Sequence, residues 1–447
     1  MVQQFAVEPR PPDSTTRPRR WPQALAAAAC TAVVIIEPKS IDPAVKVTFI
    51  LLATLLSIDL SRREARNPSD PLPIAVTIGA LFTLAVVTIP KFATDIWSYT
   101  MVGRILAVHH LNPYRTAPAA VAHDPLLPLL HRTWQSGTTP YGPLSVAHAA
   151  LIALVCGTHP LLYRLAFQST AAVAVGVALW LLWRTTRSTA AIALVGLNPM
   201  VAGSIVNGGH NDAVVALGLL GLVLLLARGR IGAASWVLLA TTLVKLTVGY
   251  AIIPVVVWTA TRYGWRALRS FLLPTIVGGV VMIAIPGAAH SMTNANGGVV
   301  TRLAIWNVPI RVSWLAIHSL HASNYTTIGL LAVAAIIVIV AIVDRHQPDP
   351  GRGAAAAAAA WVAAAGYVLA WYTVLGLVVA ALRPTERLAR WLALQGGVIT
   401  AAYLVPRGDL APHMFIGLVV QLYVPLALTI AFVWALMERR TSPIATE

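Results

Sequence analysis

Lys91-Phe-Ala-Thr-Asp-Ile-Trp-Ser-Tyr99 follows an apolar stretch (72–89) and opens the longest polar loop of the chain. Asp95 lies about five residues beyond the apolar stretch, at what reads as a boundary between lipid and water. Arg104, Arg115 and Arg132 follow it. A carboxylate so placed can take a proton from a hydroxyl, and arginine forks suit phosphate oxygens. The pattern suggests chemistry on a lipid-borne phosphate at a membrane surface. The bland alternative is that Asp95 caps a helix, since Asp before Ile-Trp-Ser-Tyr is a plausible start.

Outward from this loop the chain is mostly apolar. Of its 447 residues 57% are hydrophobic and 11% charged, against about 25% charged in soluble domains; the mean hydropathy is +0.74. Apolar segments run over 24–36, 44–60, 72–89, 143–156, 160–183, 189–206, 212–228, 231–259, 268–287, 325–343, 354–382, 391–405 and 413–436. Several approach the ~20 residues a helix needs to cross the hydrocarbon core. The expected fold is an all-α polytopic membrane bundle of about 12–14 transmembrane helices, some short or broken, with a large first extracytoplasmic loop. The net charge of +16 fits cytoplasmic loops facing anionic lipid rather than nucleic acid. Cys30 and Cys156 lie in apolar segments, which indicates neither a disulfide framework nor a metal cluster.

Arginine placement sets the orientation. Basic groups at Arg17/Arg19/Arg20, Arg62/Arg63/Arg66, Arg184/Arg187, Arg228/Arg230, Arg262/Arg266/Arg269, Arg345/Arg352, Arg383/Arg387/Arg390 and Arg439/Arg440 belong in the cytoplasm by the positive-inside rule. Both termini are then cytoplasmic in a multi-pass plasma-membrane protein. Residues 1–20 form a disordered basic tail, 21–440 a single transmembrane domain with an outer loop at 90–142, and 441–447 a short tail. Parity of the crossings adds three expectations. The segment from Pro140-Tyr-Gly-Pro143 is re-entrant or interfacial. Segments 231–259 and 354–382 are each broken near the outer face, at Lys245 and at Ala370-Trp371-Tyr372. Asn207-Gly-Gly-His-Asn-Asp212 lies outside. Asp95, His210, Asp212, Lys245 and Trp371 thus share one face. A lysine inside an apolar segment is by default a functional candidate; its bland reading is snorkelling to the interface. His109, His110, His123 and His131 show no persuasive ligand spacing for zinc.

The ordered set of an Asp opening the outer loop, Gly103-Arg104, Asn112-Pro-Tyr114, Thr139-Pro-Tyr-Gly-Pro143, Leu197-Asn-Pro199, Gly209-His-Asn-Asp212, Val244-Lys-Leu246 and Trp371-Tyr372 resembles the GT-C membrane glycosyltransferases. It is most similar to the actinobacterial polyprenol-phosphate-mannose-dependent mannosyltransferases, over roughly residues 90–382. The resemblance implies transfer of a sugar, mannose first, from a polyprenyl-phosphate donor to a cell-envelope glycan or glycolipid on the outer face. It makes Asp95 the catalytic base. Tyr99, Arg104, Asn112, Tyr114 and Tyr141 would line the cleft, His210, Asn211, Asp212 and Lys245 would sit near the lipid phosphate, and Trp371 and Tyr372 would complete the site. Arg104 and Lys245 are expected to hold the phosphate. No cofactor is required, though Asp95 with Asp212 could hold a divalent metal weakly. Two departures stand out: the aromatic pair follows Ala370 instead of the usual proline, and two spans precede the usual first helix. Residue types leave mannose, glucose and arabinose open. A transporter or flippase of a lipid-linked sugar is the competing reading, with broken helices forming a midplane site; a non-catalytic scaffold is the third.

Overall fold

The computed structural model describes residues 20–36, 41–91, 93–291, 322–365, 368–404 and 424–438. The 1–19 and 441–447 tails and the 413–423 part of the last apolar segment lie outside them. The described chain is helical, with no strand, and forms an all-α polytopic membrane protein. We number the helices α1 (Trp21–Ile36), α2 (Pro43–Arg66), α3 (Pro71–Val87), α4 (Asp95–Ala107), α5 (Pro143–Cys156), α6 (Pro160–Thr186), α7 (Thr189–Gly196), α8 (Asp212–Ala227), α9 (Ile231–Val244), α10 (Gly249–Ala284), α11 (Ala322–Asp344), α12 (Gly351–Ala364), α13 (Thr373–Ala380), α14 (Arg387–Tyr403) and α15 (Val424–Leu436).

Among the described residues three helices are long and apolar enough to cross a membrane: α2, α6 and the Leu246–Ala284 stretch; a bent pair makes a fourth. The expected 12–14 spans are therefore not 12–14 unbroken helices. Much of the remaining apolar sequence is in helices of 10–17 residues, and breaks divide several segments. Segment 231–259 breaks where it was expected to. α9 ends at Val244, Lys245 is extended (φ −161°, ψ 137°), and a 3-10 turn over Leu246–Val248 leads into α10. Segment 354–382 breaks too: α12 ends at Ala364, Leu369 is extended, and a 3-10 turn over Ala370–Tyr372 leads into α13. The preceding proline is not needed for this.

Two breaks were not anticipated. Segment 189–206 splits at Leu197-Asn198-Pro199 into α7 and a π-helical turn, Met200–Asn207, bent by 59°. Proline removes a donor and disfavours helical continuation before it; Asn198 offsets this by donating to the Ala393 carbonyl and accepting from Met200 N–H. The basic Arg262–Arg269 connection is no open loop but a sharp kink inside α10 at Gly264 (φ +77°).

The seven alanines Ala354–Ala360 are nearly all without solvent exposure. α12 packs against α10, α11 and α13, and small side chains let helix backbones approach closely. The far half of α10 instead leaves Leu273, Ile276, Val280 and Ile283 exposed. In a membrane protein this is a face for lipid.

Candidate active site

Asp95 is held by the elements around it rather than by its own helix. It is the first residue of α4, after Thr94, and no side chain caps that end. The cap reading of Asp95 therefore does not describe its place. The approach to α4 is fixed by two buried amides. Asn207 donates to the carbonyls of Ala85, Thr88 and Ile89 and accepts from Lys91 N–H. Gln168, within α6, donates to Ala85, Thr88 and Asn207 carbonyls. These satisfy the orphan carbonyls at the end of α3, and so position the turn that delivers Asp95.

The second wall comes from the Gly208–Asn211 turn. Gly209 adopts φ +62°, and a Cβ there would lie 2.8 Å from Ile96 and 3.3 Å from Phe167, so only glycine fits the turn against α4 and α6. The turn brings His210 Nδ1 to 3.6 Å from Asp95 Oδ2 and 3.5 Å from the Tyr99 hydroxyl. Trp371 stacks on the imidazole at 4.0 Å and 20°. Tyr99 donates weakly to Asn211 Oδ1 at 3.5 Å, and Asn211 donates to Ser145 at 3.2 Å.

The third wall carries the positive charge. Lys245 donates to Asp212 Oδ2 at 2.7 Å, and its ammonium sits 5.8 Å from the Tyr141 ring and 5.6 Å from the Tyr372 ring. Tyr141 packs edge-on against Tyr99 at 5.0 Å. Gly142 donates to the Val244 carbonyl, and a Cβ on it would meet Leu243 O at 2.1 Å. The end of the outer loop is thus pressed onto the residues just before Lys245.

Nine of the expected site residues, Asp95, Tyr99, Tyr141, His210, Asn211, Asp212, Lys245, Trp371 and Tyr372, are therefore brought together. Tyr114 and Asn112 stand one step away. Tyr114 donates its hydroxyl to the Tyr141 carbonyl at 3.0 Å; Asn112 accepts from Tyr114 N–H and donates to the Pro286 carbonyl. Arg104 is elsewhere. Its guanidinium is buried on Asp124, with Nε 2.7 and 2.9 Å from the two carboxylate oxygens, and it donates to the Gly157 carbonyl. His109 joins Asp124 at 2.7 Å. Arg104 is thus a strut that ties α4 to the loop and to the end of α5, and the structure does not place it on a phosphate. Gln168, Asn207, Asp124 and Ser145 were not anticipated. Polar residues inside or beside apolar helices were the available signal.

The electrostatics separate the acids. Burial pushes the Asp95 carboxyl up to about 6; Lys245 pulls it down and Asp212 pushes it further up. Burial, and then Lys245, hold His210 well below the ordinary imidazole range, so it is neutral at pH 7. Asp124 is opposite: burial raises it, but hydrogen bonds from His109, Leu126 N–H and Arg104 leave it below the usual carboxylate range. Asp95 is a carboxylate poised near neutrality, and Asp124 is a permanent anion. Two buried atoms in the site lack a protein partner, His210 Nε2 and Asp212 Oδ1; buried polar atoms are normally paired. Among the described residues no cluster of three or more His, Cys, Asp or Glu is arranged to hold a metal.

Residues 44–262 match the family model described as Alpha-(1->6)-mannopyranosyltransferase, N-terminal domain. Alpha-(1->6)-mannopyranosyltransferase A of Mycobacterium tuberculosis is 24% identical over 397 residues, 80% of this chain and 74% of that protein. The Corynebacterium glutamicum protein of the same name is 28% identical over 296 residues, 63% of this chain and 58% of that protein. The chain is a glycosyltransferase. The part of the enzyme matched to the family model contains Asp95, His210, Asp212 and Lys245. No solved structure matches it.

Proposed function

We propose that the enzyme transfers mannose from a polyprenyl-phosphate donor to a hydroxyl of a cell-envelope glycan or glycolipid at the outer membrane face. The observation that carries this reading is the grouping, in one cluster of side chains, of a carboxylate held near pH 6 with a lysine at a helix break. Asp95 takes the proton of the acceptor hydroxyl. Lys245 shifts from Asp212 toward the leaving phosphate and stabilises its charge, an electrostatic contribution of the kind that dominates many active sites. Tyr99 and His210, clamped by Trp371, hold the Asp95 side of the cleft. Mannose is favoured because the relatives are named for mannosyl transfer. The orientation that follows places both termini in the cytoplasm and residues 90–142 outside, in a single domain over 21–440. No cofactor takes part in these steps.

Transfer from radiolabelled polyprenyl-phosphate-mannose in membranes, with wild type and Asp95→Asn at matched protein levels, tests it. Incorporation should fall at least 100-fold in the variant, in line with loss of general acid–base catalysis. Equal incorporation would remove Asp95 from the chemistry. Wild-type membranes no better than empty ones would sink mannosyl transfer from this donor and leave lipid-linked sugar transport to be assayed. EDTA should leave wild-type turnover unchanged; its loss and restoration by a divalent salt would put a metal between Asp95 and Asp212.

A further inference from the structure

Tyr114 lines two cavities whose other lining residues differ in chemistry. One, of ≈ 550 Å³, is walled by Leu106, Leu111, Pro143, Val146, Ala147 and Ile285 with few polar groups. The other, of ≈ 450 Å³, is lined by Tyr114, Arg115, Thr138, Gly287 and His290. We propose that this second, polar cleft binds a sugar unit of the acceptor glycan adjoining the unit whose hydroxyl reacts, an inference that rests on the glycosyl-transfer reading above.

The cleft is built from two segments far apart in sequence. Asn112 donates to the Pro286 carbonyl at 2.8 Å; Thr138 and Ser291 hydroxyls pair at 2.7 Å; Ser291 donates to the Thr139 carbonyl at 2.6 Å. Gly287 lies at φ +84°, and a Cβ there would fall 2.6 Å from Arg115 Cγ and 2.9 Å from the Tyr114 carbonyl. Glycine therefore lets the 285–291 turn press on the stem of Arg115 and fix where its guanidinium starts. Arg104 is committed to Asp124, whereas Arg115 is exposed beside the cleft. A guanidinium offers five fixed donors and a hydroxyl both donates and accepts. This mixed lining suits sugar hydroxyls better than an anion, for which one cation is thin provision. Tyr114 connects the cleft to the chemistry: its hydroxyl bonds the Tyr141 carbonyl, and the Tyr141 ring faces Tyr99 and Lys245. The other cavity that Tyr114 lines is apolar, which leaves the polar one to take a hydrophilic chain.

The test is binding of alpha-1,6-mannotriose to the detergent-purified full chain, followed by calorimetric titration, without turnover. Arg115→Ala should weaken binding at least fivefold, Arg115→Lys should restore part of it, and Gly287→Ala should weaken it by displacing the arginine. Inorganic phosphate should not displace the sugar. Failure of wild type to bind the trisaccharide, equal binding by Arg115→Ala, or displacement by phosphate would each overturn the proposal. Transfer is scored separately. A chain that binds the trisaccharide through Arg115 but moves no mannose contradicts the function reading and leaves the cleft standing.

Discussion

At the scale of single residues, Asp95 carries a conflict between stability and chemistry. Its folded pKa is raised from 3.8 to about 6, so between these values the folded state holds more proton than the unfolded one. Stability therefore falls as pH rises through that window. About two pKa units correspond to about 3 kcal/mol at pH 7. Asp95→Asn should raise the thermal midpoint at pH 7 and show no gain at pH 4; a variant less stable at both would refute the cause assigned to the shift. The wild-type rate should drop as pH falls through about 6, since the base must be ionised, and a profile flat from pH 5 to 8 would contradict it. Lys245 makes the opposite case. Removing one member of a buried ion pair costs ~3–5 kcal/mol because the other charge is left alone. Lys245→Ala should unfold earlier, and adding Asp212→Asn should recover much of that stability without recovering transfer; thermal scans beside the mannose assay separate the two. Position at a lipid–water boundary and inside an apolar segment marked Asp95 and Lys245 as candidates, and only the resemblance to a known family made Asp95 the expected base. Arg104 was misread, yet a clue was present: Asp124 is the only acid between positions 96 and 142, among arginines and histidines.

At the scale of elements, the site depends on close backbone approaches that only small residues permit. Gly103 lets α4 meet α5, where a Cβ would come 2.1 Å from Ala149 O; Gly142 does the same against Leu243 O. Backbone cannot yield as a flexible side chain does, and overpacking costs ~1–3 kcal/mol or more. Gly142→Val should reduce kcat more than it raises the donor KM, because it shifts the α9 end that presents Lys245. Kinetics matching wild type would show that this contact does not set the site. The breaks at Lys245 and Ala370 were readable because basic loops at both ends of a long segment demanded an even number of crossings. The break at Leu197-Asn198-Pro199 gave no such signal: segment 189–206 has an ordinary span length, and only the tertiary partner of Asn198 on α14 explains the bend. Gln168 and Asn207 escaped notice for the same reason, since a single buried amide has meaning only once the carbonyls it satisfies are in view.

At the scale of the whole molecule, charge placement and apolar length made the all-α membrane character legible, while the number of unbroken spans was not. Helices of 10–17 residues that meet at breaks do not register as spans by length. The orientation is testable with engineered cysteines, since Cys30 and Cys156 are both buried. In intact spheroplasts an impermeant maleimide should label cysteine placed at Arg115 or Gln135, and should spare cysteine at Arg187 or Arg228 until the cells are opened. Labelling of the second pair in intact cells would invert the proposed topology.

The loop from Asp95 to Gly142 is fastened at both ends and by the Arg104–Asp124 strut, while the residues between Thr116 and Gly137 carry none of the site side chains. Asp124, the far end of that strut, lies inside this stretch and is its fixed point; its other positions can change while the reacting groups stay in register on the anchors at Asn207, Gly209 and Gly142. Exchanging residues 116–137 with Asp124 kept should therefore leave the geometry of the reacting groups unchanged.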